Sequence, residues 1–172
     1  ANMDHDILTA TNAVISIAKG SFLDENNEPY VGNVKILFTD IRSAGQTILT
    51  GSSTDVNGKY FYSNSMIKIN ALDEHRKQLK LDKSQTIKVY HPSEDDTLSP
   101  DIKMFRGGGS DGAFDWIELS NPIENYSLDI GDWNIVSETG SIIGHGYKYS
   151  VQQLGWYGIG NYMDDLGGTT DN

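Results

Sequence analysis

The chain has 172 residues, 37% of them hydrophobic, with nine Tyr, three Trp, no Cys and a formal net charge of −11. That length holds one sizeable core, or a module of about 100 residues with an appendage. The lack of Cys excludes disulfide stapling and thiol catalysis, and four His make a structural zinc site a poor reading. No apolar run approaches the ~20 residues that a membrane helix requires, so no membrane span is predicted. The start carries no charged, apolar and small-residue series and no initiator Met, and reads as that of a mature or trimmed chain.

In chain order, Ala1 to Asp6 is polar and is predicted to fray. Ala13 to Ala18 is β-branched and alternates around Ser16, a first strand continuing towards Phe22. Asp24 to Pro29 is a turn cluster, because Asp and Asn bond nearby backbone and Pro presets φ. Asn33 to Phe38 reads as the second strand and Thr47 to Ser53 as the third. Asp55-Val56-Asn57-Gly58 then reads as a tight hairpin turn into a fourth strand, Gly58 to Tyr62, since Asn and Gly tolerate the positive φ such turns need. Asn70 to Lys80 predicts a short helix: Asn70 as cap, Asp73 and Glu74 in the first turn, Arg76, Lys77 and Lys80 near the end, and Leu72 and Leu79 on one face. Thr86 to His91 is a strand stopped by Pro92, followed by an acidic loop, Ser93 to Asp101.

From Ile102 the texture changes. Met104 to Gly112 reads as a flexible glycine-rich segment, and Phe114 to Leu119 alternates like an edge strand. Trp133 to Val136, Tyr147 to Val151 and Leu154 to Tyr157 are further short strands. Charge follows the same division. Residues 1–90 hold ten acidic and ten basic side chains, whereas residues 91–172 hold fourteen acidic ones against Lys103, Arg106 and Lys148, with thirteen of the eighteen Gly. Such a chain repels a phosphate backbone, so no nucleic-acid partner is predicted. Short strands between turn signals, with almost no helix and no repeat period, argue an all-β sandwich.

Three successive segments carry a family resemblance: Gly20-Ser21-Phe22; Asn27-Glu28-Pro29-Tyr30-Val31-Gly32-Asn33-Val34-Lys35-Ile36; and Ser53-Thr54-Asp55-Val56-Asn57-Gly58-Lys59-Tyr60. Their order and spacing resemble the carboxypeptidase regulatory-like, or transthyretin-like, modules of bacterial surface proteins, across about a third of the chain. The resemblance implies a transthyretin-like Greek-key β-sandwich over residues 10–104, with one short helix, and a small glycine-rich acidic β extension over residues 105–172 packed on it. Gly131-Asp132-Trp133 and Gly155-Trp156-Tyr157 are loosely similar to the closing strands of cartilage intermediate layer-like proteins. In carboxypeptidases this module lies outside the catalytic domain. The resemblance therefore implies a non-catalytic structural or binding module of an exported, cell-surface protein, working in adhesion, spacing or ligand presentation.

The residues themselves offer no catalytic, cofactor-binding or metal-binding set. Gly107-Gly108-Gly109 lacks the Lys-Ser/Thr and the following helix of a phosphate-binding loop. His5, His75, His91 and His145 have no ligand spacing; His145, between Gly144 and Gly146, is the most suggestive. Gly51-Ser52-Ser53 is no nucleophile elbow. No enzyme activity and no cofactor are predicted. Trp116, Trp133 and Trp156, with Tyr147, Tyr149, Tyr157 and Tyr162, are read as packing, with a glycan-stacking platform as the alternative. A hydrolase built on His145 and a carboxylate is a second alternative. Glu94-Asp95-Asp96, Asp111-Gly112 with Asp115, and Asp164-Asp165 supply oxygens of the kind Ca²⁺ takes, without EF-hand spacing, and a solvated acidic surface is the plainer reading. The predicted partners are proteins or glycans at the cell surface.

Overall fold

A computed structural model describes residues 5–41, 55–56, 59–108, 115–119, 127–137 and 140–163. Its strands are β1 (His5–Leu8), β2 (Val14–Ile17), β3 (Phe22–Leu23), β4 (Lys35–Ile41), β5 (Asp55–Val56), β6 (Lys59–Leu72) and β7 (Lys80–Leu81). After them come β8 (Ile87–Pro92), β9 (Lys103–Gly108), β10 (Asp115–Glu118), β11 (Leu128–Ser137), β12 (Gly140–Val151) and β13 (Gly155–Tyr162). The chain is nearly all-β, its ladders antiparallel, which is consistent with the predicted β-sandwich class. No helix among the described residues is long and apolar enough to cross a membrane.

The chain divides into two compact units. The first comprises Ala1–Phe38, Ile69–Leu98 and Asn125–Leu154, and the second Thr39–Lys68, Ser99–Glu124 and Gly155–Asn172. One sheet runs β1-β2-β8-β12-β11, a second runs β10-β9-β13-β6-β4 with β5 hydrogen-bonded to β6, and β3 pairs β7. Strands from either side of residue 104 therefore lie in each of the two large sheets.

In the first unit, register places alternate residues of three neighbouring strands on one buried face. Ile15 stands opposite Val89 and Val89 opposite Tyr149, while Ile17 stands opposite Ile87 and Ile87 opposite Val151. All six are buried. Burying such β-branched and aromatic side chains stabilises the unit by roughly 1.5–3 kcal/mol each. In the second unit the core gathers Ile41, Val56, Phe61, Met66, Phe105 and Trp116. Phe61 stacks on Phe105 at 4.2 Å and meets Trp116 edge-on at 5.3 Å.

Several expectations change here. The helix over Asn70 to Lys80 is not formed. β6 continues to Leu72, Asp73 to Lys77 makes a tight turn, and Leu72 then bridges Gln78. The cause is the Asp73 carboxylate, which accepts the backbone N–H of His75 at 2.8 Å and of Lys77 at 2.7 Å. Asp73 N–H donates to Lys77 O, Arg76 N–H donates to Asp73 O, and Arg76 adopts φ 65°. Asp24 to Glu28 repeats this turn, with Asp24 Oδ1 accepting from Asn26 and Glu28 and Asn27 at φ 64°. Thr9 to Ala13 repeats it again, with Thr9 Oγ1 accepting from Ala13 and Asn12 at φ 63°. Each side-chain oxygen satisfies donors that a helix would otherwise have employed.

The predicted flexible stretch at Met104 to Gly108 is instead β9. Met104 and Phe105 are fully buried, and Gly107 stands between Trp116 and Trp156 on the neighbouring strands. β10 lies at the end of its sheet, as the edge-strand reading expects. His5 to Leu8, at a start predicted to fray, pairs with β2. Asp55 pairs with Tyr60 and Val56 with Lys59, so β5 and β6 run antiparallel. The backbone conformation predicted for Asn57 and Gly58, and the strand predicted at Thr47 to Ser53, lie outside the described residues.

Candidate functional site

β11 and β12 form a ladder of ten opposed pairs, from Leu128 opposite Tyr149 to Ser137 opposite Gly140. β8 accompanies β12 only from Val151 back to Gly146, where Pro92 is its last partner. Beyond that point the hairpin carries Asp132 directly opposite His145. Side chains of an opposed antiparallel pair share one face, so the register alone brings this carboxylate to this imidazole. Nδ1 of His145 lies 2.7 Å from Asp132 Oδ1, and Nε2 lies 2.9 Å from the carbonyl oxygen of Asp95. Asp96 Oδ1 stands 3.9 Å from the same Nε2.

The two glycines flanking His145 have separate reasons. Gly144 lies under the indole of Trp133. Gly146 has φ +146°, and a Cβ there would collide with the backbone of His91, Pro92 and Ser93. That close approach lets Ser93 N–H donate to His145 O at 3.1 Å. Two residues along β12, the buried Tyr147 donates its hydroxyl to Asp95 Oδ2. The acidic loop after β8 is thus held against the hairpin through Asp95.

Hydrogen bonding to Asp132, then to the Asp95 carbonyl, holds the His145 imidazole above its ordinary range, favouring the cation. The ring is one-third exposed. The nitrogen not facing Asp132 is turned to the Asp95 carbonyl. Two clefts of the first unit are lined by residues other than His145. One of about 320 Å³ is lined by Ile7, Ile17, Phe22, Val34 and Ile36. Another of about 450 Å³ is lined by Ser16, Gln85, Thr86, Lys88 and Tyr90.

The other histidines are not brought to His145. His5 lies on the exposed β1, His75 is exposed in the Asp73 turn 3.6 Å from Glu74, and His91 is buried on β8 opposite Tyr147. Among the described residues no group of three or more His, Cys, Asp or Glu is placed to hold a metal ion. Of the acidic loops weighed for Ca²⁺, Glu94-Asp95-Asp96 is described, whereas Asp111, Gly112, Asp164 and Asp165 lie outside the described residues, as do Gly109, Ser52 and Ser53.

The aromatic residues considered for a platform are used mainly in packing. Trp116, Trp133, Tyr147, Tyr149 and Tyr157 are buried, and the partly buried Trp156 and Tyr162 pack against the second unit's core. Lys68 lies over the Trp156 ring at 5.2 Å and Lys59 over the Tyr162 ring at 5.4 Å. Among the described residues the exposed rings are Tyr60 and Tyr62, 57% and 60% accessible, two residues apart on β6 and so on one face. The sequence signal for them is the Tyr60-Phe61-Tyr62 alternation, in which Phe61 alone turns inward.

No protein-family model, no curated protein and no solved structure matches the chain.

Proposed function

We propose that the chain is a non-catalytic binding or spacing module of an exported, cell-surface bacterial protein, with the Greek-key sandwich of the transthyretin-like class. One observation carries the non-catalytic part. His145, the most suggestive of the four histidines, has Nδ1 turned to Asp132 on β11 and Nε2 turned to the Asp95 carbonyl in the loop after β8. The family part rests on the order and spacing of the Gly20, Pro29-Tyr30 and Asp55–Tyr60 segments in the sequence, and antiparallel pairing of β3 with β7 and of β5 with β6 is compatible with it. A glycan-binding role is the second reading, and the exposed pair Tyr60 and Tyr62 favours it, because neighbouring rings on one strand face can stack on sugars.

A glycan array, with an esterase, glycosidase and peptidase panel run on the same preparation, tests both readings. The expected result is no turnover. Array signal lost in Tyr60→Ala/Tyr62→Ala with an unchanged melt selects the glycan reading over plain spacing. Reproducible turnover abolished by His145→Asn overturns the non-catalytic assignment.

A further inference from the structure

The loop after β8 begins against the β11–β12 hairpin, and His145 holds it with both its backbone and its ring. The carbonyl of His145 accepts Ser93 N–H, while the ring bridges Asp132 Oδ1 and the carbonyl of Asp95. Both ring partners are acceptors with no proton to offer. A neutral imidazole carries one N–H and satisfies one of them, whereas the imidazolium carries two and satisfies both. We propose that His145 is a pH-sensitive latch on this loop: as imidazolium it pins the loop tip to the hairpin, and on losing a proton it releases either Asp132 or the Asp95 carbonyl.

The surroundings favour the cation from each side. β11 contributes Asp132, and the loop contributes Asp95 and Asp96. On β12 itself Tyr147 is tied to Asp95, and across from it on β8 His91 is buried. Lys148 is turned to Asp129, three residues further along the strand and on the opposite face of the ladder. The Asp132 hydrogen bond and then the Asp95 carbonyl raise the affinity of the ring for its second proton. A folded value raised above the unfolded one gives a contribution that is full below the unfolded value, about 6.5, and is lost as pH climbs through the folded value. The latch is therefore closed on the acid side and opens on the alkaline side.

Release is local. Exposed ion pairs contribute little to global stability, and the Asp132 carboxylate is 88% accessible. When the ring lets go, Asp95 keeps its bond from Tyr147, and Ser93 keeps its bond to the His145 carbonyl. The segment loosened is the tip, Glu94 to Thr97, which carries the Glu94 and Asp96 carboxylates beside the Tyr147-bound Asp95. The device controls how firmly that acidic tip is presented, and works whichever partner the module serves.

The test uses the full chain labelled with ¹⁵N and ¹³C, titrated from about pH 5 to about pH 9.5. Ring ¹⁵N shifts report the protonation of His145, and the heteronuclear NOE of Glu94 to Thr97 reports loop order on the nanosecond scale. The expected result is an ordered loop at low pH that loosens with the midpoint of His145, above the ordinary histidine value. Asp132→Asn moves that midpoint down, and His145→Asn abolishes the pH dependence. Loop order unchanged through the His145 titration, a His145 midpoint at or below the ordinary value, or pH-dependent loosening that survives in His145→Asn would each overturn the latch.

Discussion

The indole of Trp133 lies flat across its opposite residue, Gly144, so closely that a Cβ added there would sit 2.6 Å from Nε1 and nearer still to the ring carbons. Tyr90 packs on the same ring at 5.7 Å. The glycine is required by the neighbour rather than by its own backbone, and the indole cannot move aside without leaving a buried site. Gly144→Ala is expected to cost about 1–3 kcal/mol as overpacking. The buried Nε1–H has no hydrogen-bond partner among the described residues, so Trp133→Phe loses ring area without losing a hydrogen bond. In a double-mutant cycle the cost of Gly144→Ala should shrink in the Trp133→Phe background. Equal costs in both backgrounds would show that the indole does not press on Gly144.

The Asp73 turn gives a second prediction with opposite signs at two positions. Asp73 Oδ1 accepts two backbone N–H groups, and each net hydrogen bond contributes about 0.5–1.5 kcal/mol. Asp73→Ala should lower stability by about 1–2 kcal/mol. Arg76 holds φ 65°, a left-handed conformation costing a non-glycine residue roughly 1–2 kcal/mol. Arg76→Gly should raise the melting temperature despite removing a charge. A fall in Tm for Arg76→Gly would remove the turn assignment.

The same turn explains what was legible in the sequence. Hydrophobic alternation and turn chemistry mark most of the strands, because each is written in neighbouring residues. Asn70 to Lys80 is where local signals divide: Leu72 and Leu79 are seven apart in a helix, but equally flank a hairpin in which Leu79 N–H donates to Ala71 O. Pairing of β7 with β3 decides in favour of the hairpin. Lys80 stands opposite Leu23, and its Nζ reaches Asn27 Oδ1 at 2.8 Å and Glu25 O at 3.1 Å. At the site, His145 was visible between its glycines, but Asp132 and Asp95 were not. One depends on the register of β11 with β12, and the other stands fifty residues earlier in the chain. Met104 and Phe105 were hidden by the glycines after them, of which Gly107 stands in the sheet opposite both Trp116 and Trp156.

The Asp24 turn carries a pH dependence. The N–H of Glu28 first, then the backbone and side chain of Asn26 and last Lys80, hold the Asp24 carboxyl below its ordinary range, against an opposing effect of burial that is second only to the Glu28 bond. A depressed folded value stabilises above the unfolded value, about 3.9, and that contribution is lost as pH falls through the folded one. Asp24→Asn keeps an acceptor oxygen and removes the charge. The Tm gap between wild type and Asp24→Asn should be widest near neutral pH and close below about pH 4. A gap that stays constant down to pH 2 would show that the carboxylate charge contributes nothing to the turn.

The last prediction concerns the C-terminal strands, and it follows from sheet order rather than from any side chain. A chain ended after Leu128 loses β12 and β13 and nearly all of β11. β12 lies between β8 and β11 in one sheet, and β13 lies between β9 and β6 in the other. The truncation would leave β8 and β6 each with an unpaired edge, and would leave β9 and β10 severed from the rest of their sheet. It would also strip Tyr147, Tyr149, Val151, Tyr157 and Ile159 from buried positions, at roughly 1.5–3 kcal/mol each. Together these losses reach or exceed the 5–15 kcal/mol by which a domain of this size is stable. The truncated chain should therefore lack a cooperative melt and bind a hydrophobic dye. If residues 1–128 instead gave a sharp melt and a dispersed amide spectrum, the N-terminal strands would form a self-sufficient sandwich, and β11 to β13 would be an appendage to it.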